Sequence, residues 1–150
     1  MASIDLEPAR TFLATDTGLC VVSLTRPDGS VSSSVVNAGF LPHPISGDAV
    51  LGFVVQASAY KRRRLLVVPT ATVCVQRAWK WQAVEGRAEL IGPLDPHPSG
   101  PLDLPALLRD VFRAAGGTHA DWDEFDRVMA DQQRTAVLLH PTRTYGVPGT

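Results

Sequence analysis

The feature that most limits how this chain can fold is a series of short apolar runs separated by turn-forming residues. Two runs, at 19–25 and 31–41, flank an Arg-Pro-Asp-Gly tetrapeptide, which is typical of the turn in an antiparallel hairpin. Further runs lie at 49–56, 70–76, 79–92 and 135–147. That many antiparallel strands in so short a chain predict a mainly β protein, built as a small barrel with peripheral helices.

Four other segments have helical spacing of their apolar residues. The first offers Ser3 or Asp5 as an N-cap and ends at Gly18, and the second is a short cationic helix that Pro69 ends. Two more follow a Pro-rich stretch that we interpret as a surface connection. The predicted helices occupy residues 3–16, 57–68, 104–117 and 121–133. We therefore predict a single domain over residues 1–150.

Composition excludes several classes of protein. Lys and Arg number 14 against 15 Asp and Glu, so the chain lacks the positive excess that drives non-specific binding to nucleic acid. The longest apolar run, 49–55, is too short to span a bilayer, and the N-terminal residues do not resemble a signal peptide. Cys20 and Cys74 lie in apolar strand patterns, which suits buried free thiols in a reducing compartment, and a disulfide between them stays open as an alternative. We expect a cytoplasmic protein without a membrane span.

No residue pattern indicates a metal site or a nucleophile. The acids near His119, at Asp121, Asp123 and Glu124, are expected at the first turn of a helix, where capping and the helix dipole stabilise them. The other histidines show no matching ligand spacing. A G-x-S-x-G nucleophile motif is missing from the sequence as well. We predict no metal, and the catalytic residues stay unknown.

Two strand features bear on a flat ligand. The strand at 31–38 carries small or polar side chains on both faces, which leaves room for a group to approach the sheet. Trp79 and Trp81 are predicted to share one face of a later strand. They could fill the barrel core, form a dimer interface, or make a wall beside a planar ring.

The cationic run from Lys61 to Arg64 has three possible interpretations. It could be a solvated helix face, a nucleic-acid patch, or a site for one anionic ligand. Its position favours the third, because the run follows a buried strand directly and opens a helix. Backbone N–H groups and the helix dipole favour an anion there, and Lys or Arg side chains complete a phosphate site.

The stretch AYKRRRLLVVPTATVCVQRAWKWQAVEGRAELIGP resembles the pyridoxamine 5′-phosphate oxidase-like split β-barrel superfamily. The features that carry the resemblance are Lys61 at a helix start, Leu65 four residues later, Pro69 before the next strand, and Glu85 with Gly86 in the strand after that. The C-terminal stretch HADWDEFDRVMADQQRTAVLLHPTRTYGVP is similar to the end of the actinobacterial, deazaflavin-dependent branch.

The resemblance implies an FMN-binding split barrel that forms a homodimer, with two cofactor sites at the subunit interface. It implies coenzyme F420 as cofactor, an oxidoreductase activity, and hydride transfer to an unsaturated or quinone-like small molecule. The residues that would bind the cofactor are Lys61 at its phosphate, Arg62 and Arg63 at the phosphate or tail, Ser58 and Ala59 at the ribityl chain, Ser34, Val36 and Asn37 at the ring, and Trp79 as a wall or from the partner subunit.

Two alternatives stay open at this point. FMN could replace F420, as in a pyridoxamine phosphate oxidase-like enzyme, although the second strand lacks the Arg with which FMN-dependent members commonly hold phosphate. The protein could also be a non-catalytic F420 or flavin carrier, because hydride transfer by such a cofactor requires no acid–base side chain.

Overall fold

The computed structural model describes residues 4–14, 18–95 and 102–147. Its strands form one antiparallel sheet in the order β2-β1-β5-β6-β7-β4-β3. Because the sheet curls until β2 contacts β4, its two ends approach each other and leave a barrel that is split along one side. The strands are β1 Leu19–Thr25, β2 Val31–Asn37, β3 Gly39–Pro42, β4 Ala49–Val55, β5 Thr70–Arg77, β6 Lys80–Ile91 and β7 Thr135–Val147.

Four helices in the described ranges lie around the sheet. Asp103 and Asp121 cap the third and fourth helices, since their side chains accept hydrogen bonds from backbone N–H groups of the first turns. The first helix begins later than predicted, at Glu7, whose N–H donates to Asp5 Oδ1 at 3.1 Å; Ser3 lies outside the described residues. The helices are α1 Glu7–Ala14, α2 Tyr60–Val67, α3 Leu104–Ala114 and α4 Trp122–Asp131.

Two apolar cores lie on opposite faces of the sheet. The first fills the barrel with side chains from β1, β4, β5, β6 and β7, and α1 and α2 add Leu13 and Leu65 to it. The second joins the outer face of β4 and β7 to α3 and α4, around Val111, Phe125 and Leu138. The alternation of strand side chains lets β7 contribute to both cores, which is why residues 135–139 are continuously buried.

Gly86 marks a β-bulge, as the sequence predicts. The register of β6 against β7 shifts between Glu85, which faces Arg143, and Gly86, which faces Pro141. A Cβ at Gly86 would lie 2.4 Å from the carbonyl oxygen of His140, so the backbones approach closely there. The bulge and the close contact are therefore both present.

The structure corrects two strand predictions. The run at 31–41 is not one strand but two, because the chain breaks at Ala38, whose N–H donates to the Gly18 carbonyl at 2.9 Å. Four strands thus precede α2 instead of three. Strand β6 begins at Lys80, and Trp79 lies in the turn before it, after Ala78 with φ of 55°. Trp79 and Trp81 therefore do not share a strand face.

Candidate functional site

A cavity of about 670 Å³ lies where the edge strand β2, the end of β4 and the helices α2, α3 and α4 meet. Its size is in the range of pockets that hold small ligands and cofactors. Among the described residues, the charged side chains in its wall are Lys61 and Arg134, without an Asp or Glu. Lining residues come from β2 (Val35, Val36, Asn37), β4 and its end (Val54, Val55, Gln56), α2 (Ala59, Lys61), α3 and its end (Val111, Phe112, Ala115, Gly116, Gly117), and α4 and its end (Phe125, Met129, Arg134).

Lys61 reaches this cavity from the first turn of α2. Its Nζ donates a hydrogen bond to Ser34 Oγ of β2 at 3.0 Å, which connects the helix to the edge strand. Ala59, at the N-cap, offers no side-chain acceptor for the first backbone N–H groups of α2. The start of this helix therefore presents a cation and uncapped N–H groups beside the cavity, which is the arrangement that favours an anion.

Arg62 has a different environment from its neighbour. Its Nη2 and Nε donate to Asp95 Oδ1 and Oδ2 at 2.7 and 3.1 Å, and its Nη1 donates to the Ala57 carbonyl. Asp95 also accepts from Thr135 Oγ1 at 2.9 Å, and its side chain is 2% exposed. This buried network joins α2 to the start of β7, so Arg62 has a structural role and we do not retain it as a phosphate ligand.

The next two cations also donate to backbone carbonyls of this chain. Arg63 is exposed, donates to the Ser58 carbonyl and lies over the Tyr60 ring. Arg64 donates to the Thr25 carbonyl of β1. Of the residues predicted near the ribityl chain, Ala59 lines the cavity, whereas the Ser58 side chain is exposed and is not part of its wall.

The residues predicted to border a ring separate into two groups. Val36 and Asn37 line the cavity, and Ser34 lies beside them through its bond to Lys61. Trp79 lies at the tip of the β5–β6 turn, where its side chain is 94% exposed and does not contribute to the cavity of its own chain. The structure thus contradicts Trp79 as a wall within the same subunit.

Arg134 is a charged cavity residue that the sequence patterns did not predict. It lies between the end of α4 and β7, and its N–H donates to the Met129 carbonyl at 2.9 Å. Burial lowers the pKa of its guanidinium. A lone Arg after a helix is ordinarily a solvated residue, and only the packing of α4 against the barrel turns it into the cavity.

A second polar cluster joins His43, Glu89 and His140, which are distant in the sequence. Nε2 of each histidine lies 2.9 Å from Glu89 Oε1. Burial of Glu89 by itself would raise its pKa, but the hydrogen bonds from His140 and His43 outweigh it and lower the pKa. The sequence spacing of the histidines gave no sign of this cluster, because His43 and His140 meet only in the folded barrel.

The donor set of this cluster is one that metal ions accept, with ligand atoms within 4.8 Å of one another. The hydrogen bonds of His43 oppose that use. Its Nδ1 accepts from the backbone N–H groups of Ile45 and Ser46 at 3.1 and 3.2 Å, so the neutral ring carries its proton on Nε2. A metal at Nε2 requires the other tautomer, in which Nδ1 donates. The cluster is hence better described as a hydrogen-bonded carboxylate between two imidazoles.

The acids near His119 and the two thiols have structural explanations. Asp121 Oδ1 accepts from the N–H groups of Asp123 and Glu124, as expected of a helix cap. Cys20 lies in the barrel core, where burial raises the pKa of its thiol to about 12. Cys74 pairs with Val21 and lies on the other face of the sheet, so both cysteines are free.

The outer face of β1, β2 and the end of β7 exposes large apolar side chains, which we call the outer apolar face. Val21 is paired with Val35 across β1 and β2, and Val35 also lines the cavity. The cavity therefore reaches this face at the edge strand. The face consists of Leu19, Val21, Val31, Val35, Tyr145 and Val147, which are between 37% and 63% exposed.

Solved structures share this architecture. A conserved hypothetical protein from Mycobacterium tuberculosis matches with a TM-score of 0.67 at 15% identity, over 96% of this chain and 84% of its own. The chain has the split β-barrel fold of the pyridoxamine 5′-phosphate oxidase-like superfamily. A pyridoxamine 5′-phosphate oxidase-related, FMN-binding protein from Nostoc punctiforme matches this split barrel with a TM-score of 0.60, at 13% identity, over 97% and 86% of the two chains. An F420 reductase matches with 0.56, at 17% identity, over 88% and 92%.

No protein-family model matches the split-barrel chain. At these identities the structural matches establish the fold alone, and they include proteins named for different cofactors. A flavin-type or deazaflavin-type cofactor is thus compatible with this fold, and the choice depends on the residues of the cavity. Among the described residues, no helix of the split barrel has the length and apolar character needed to cross a membrane.

Proposed function

We propose that this protein is a homodimeric, F420-dependent oxidoreductase that transfers hydride to a small unsaturated acceptor. The observation that carries the proposal is the cavity at the start of α2, where Lys61 and uncapped backbone N–H groups meet the hydroxyl of Ser34. Phosphate is the group that this donor set fits. The described lining residues include two cations and no carboxylate, which favours an anionic cofactor.

The cavity residues divide into a binding part and an apolar part. Lys61 would bind the phosphate of the cofactor, Ala59 would border its ribityl chain, and Val36 and Asn37 would border the ring. F420 supplies hydride from a ring carbon, so the protein has chiefly to position two reactants and exclude water from between them. The apolar side chains of α3 and α4 in the cavity wall suit that task.

The residues of the second strand, β2, favour F420 over FMN as the cofactor. Residues 31–37 read VSSSVVN, without the Arg that commonly binds phosphate in FMN-dependent relatives. Lys61 is the cavity cation that bonds to this strand, through Ser34. Structures with the same fold include both an F420 reductase and an FMN-binding protein, so the preference for F420 rests on these strand residues.

The outer apolar face supports the homodimer. Exposed apolar patches of this kind mark interaction surfaces. Since Val35 belongs to both the face and the cavity, a second copy packed here would lie against the opening of the cavity. Trp79, exposed at the tip of its turn, is available to the partner's cavity and is proposed in that role alone.

Fluorescence titration of purified protein with F420, beside FMN titration, tests the cofactor. Saturable binding of F420 that is tighter than that of FMN is expected. The reverse order would assign the alternative, an FMN-dependent enzyme of the same fold. Turnover of reduced F420 with quinones and enones then tests catalysis, and binding without turnover of any acceptor would indicate a carrier.

Light scattering across a concentration series tests the homodimer. The wild-type protein is expected at twice its chain mass of 16.1 kDa. Val21→Glu places a charge in the centre of the outer apolar face and is expected to give monomers. Val128→Glu, at an exposed apolar position of α4, is the matched control and should stay dimeric. A wild-type monomer at all concentrations would contradict the dimer.

A further inference from the structure

The cavity contains a second cation, Arg134, to which the cofactor site assigns no role. The residue is held by its backbone: Gln133 before it has φ of 49°, and the N–H groups of Gln133 and Arg134 donate to the Ala130 and Met129 carbonyls. The turn that ends α4 thus directs the side chain into the cavity wall.

The guanidinium of Arg134 has no anionic partner among the described residues. Its Nε donates to Gln132 Oε1 at 2.8 Å, and neither Nη atom donates to a protein group in the parts of the chain that the structure describes. Burial lowers the pKa of the group, as expected where desolvation is not offset by a nearby carboxylate. Two parallel N–H donors in a fixed fork are therefore available to a ligand.

The wall around Arg134 is apolar and partly aromatic. Phe125 and Met129 come from α4, and Val111 and Phe112 come from α3. Phe112 and Phe125 are in tilted contact, with ring centroids 5.0 Å apart, which gives this side of the cavity a stiff aromatic surface. A ligand that satisfies both features has an apolar, ring-sized body and an anionic group.

The two cavity cations lie on different elements of the fold. Asp95 bonds to Arg62, the neighbour of Lys61, and to Thr135, the neighbour of Arg134. Arg62 neutralises the charge of Asp95. Asp95 therefore holds the start of α2 and the start of β7 in place while its carboxylate stays paired with Arg62. Lys61 is engaged with Ser34 on the β2 side, while Arg134 lies at the α4 side.

We infer that Arg134 binds the carboxylate of the second substrate, so that the acceptor is an aromatic or conjugated unsaturated acid instead of a neutral quinone or enone. The fork of a guanidinium matches a carboxylate with two parallel hydrogen bonds. This inference rests on the proposed function for the reaction itself. There, one carbon of the acceptor double bond would gain the hydride of reduced F420 and the other would gain a proton from solvent. The reduced cofactor would return one proton to solvent as it becomes oxidised, so the step balances.

Binding of cinnamate and of its neutral isostere cinnamamide, measured by calorimetry, tests this site. Both protein without cofactor and protein saturated with oxidised F420 are titrated. Wild-type protein should bind cinnamate at least about ten-fold more tightly than cinnamamide, the scale of a charge-assisted pair. Arg134→Gln should abolish that preference while leaving cinnamamide binding within about two-fold, and Arg134→Lys should restore part of it.

Two further variants keep the outcome specific. Arg127→Gln removes an exposed cation of α4 that does not line the cavity, and it should preserve the preference. A preference that survives in Arg134→Gln, or that is lost in Lys61→Ala instead, would overturn the inference. F420 titration of the same samples separates the two proposals. If wild-type protein does not bind F420 but prefers cinnamate through Arg134, the proposal of F420 as cofactor is refuted, whereas the proposal of a carboxylate site at Arg134 is supported.

Discussion

Lys61 and Arg62 are neighbours on the first turn of α2, yet their side chains lie in different surroundings. Lys61 borders an open cavity and bonds to one hydroxyl, whereas Arg62 is 12% exposed and forms a two-pronged ion pair with buried Asp95. Successive residues of a helix differ in direction by about 100°, which is enough to separate a ligand-facing side from a packed side. A run of like charges is thus not one functional unit.

The largest effect is expected on the packed side. Asp95→Ala leaves the charge of Arg62 without a partner in a largely buried place and removes the acceptor of Thr135, so the free energy of unfolding should fall by about 3–5 kcal/mol. Urea unfolding measures it. Asp110→Ala breaks an exposed ion pair with Arg113 and should lower it by less than about 1 kcal/mol.

Equal effects of the two aspartate variants would contradict the distinction between the sides. If Asp95→Ala does not accumulate as folded protein, Asp95→Asn provides the measurement, because it retains an oxygen for the Thr135 hydroxyl. Its loss should be smaller than that of alanine and larger than that of Asp110→Ala.

On the cavity side, Lys61→Ala should weaken F420 binding by about 1–3 kcal/mol, since a charge-assisted hydrogen bond to phosphate is lost. The unfolding free energy should change little, because Lys61 is in no ion pair among the described residues. Fluorescence titration gives the affinity. Arg63→Ala, at an exposed position two residues on, is the control and should have the smaller effect; an unchanged affinity in Lys61→Ala would refute the phosphate role.

Ser34→Ala should have a weaker effect on the same affinity, about 0.5–1.5 kcal/mol, because it removes a neutral partner that orients Lys61 instead of the charge itself. The effect should vanish when Lys61 is already alanine. A double-mutant cycle over the two positions measures this coupling. Additive effects would mean that Ser34 acts independently of the lysine.

The smallest effect concerns a paired carboxylate that is partly exposed. The hydrogen bonds from His140 and His43 lower the pKa of folded Glu89 below its ordinary 4.5. The ionised carboxylate therefore contributes its full stabilisation above pH 4.5, and this stabilisation is lost as the pH falls through the pKa of the folded protein. Stability curves of wild type and Glu89→Gln, measured from pH 6 to pH 3, should therefore converge on the acid side. The difference at pH 6 should be about 1 kcal/mol or less, because solvent screens a side chain that is 22% exposed. A gap that widens on acidification would contradict the sign.

Much of the fold followed from local patterns. Strand alternation, the Asp-Gly hairpin and the bulge at Gly86 all depend on backbone rules that act over a few residues. The break at Ala38 was missed because apolar residues continue through it, and its cause is a bond to Gly18 from another part of the chain. Trp79 was misplaced for a related reason, since a turn with a positive φ at Ala78 can interrupt an apparently regular strand.

The site was less predictable than the fold. The start of α2 could be recognised, because an apolar strand followed by a cationic helix is a short-range pattern. Arg134 and the cluster of His43, Glu89 and His140 could not, because their partners are separated by tens of residues and meet only when the barrel closes.

The sequence by itself determined that this chain is a mainly β protein with a cation at a helix start, since periodicity and helix ends are set by neighbouring residues. Tertiary structure alone decided which cations face a ligand. It buried Arg62 against Asp95, left Lys61 and Arg134 in one cavity, and placed Trp79 outside it. The physical reason is that burial and charge pairing depend on which distant surfaces come together, and packing of α2, α4 and the curled sheet makes that selection.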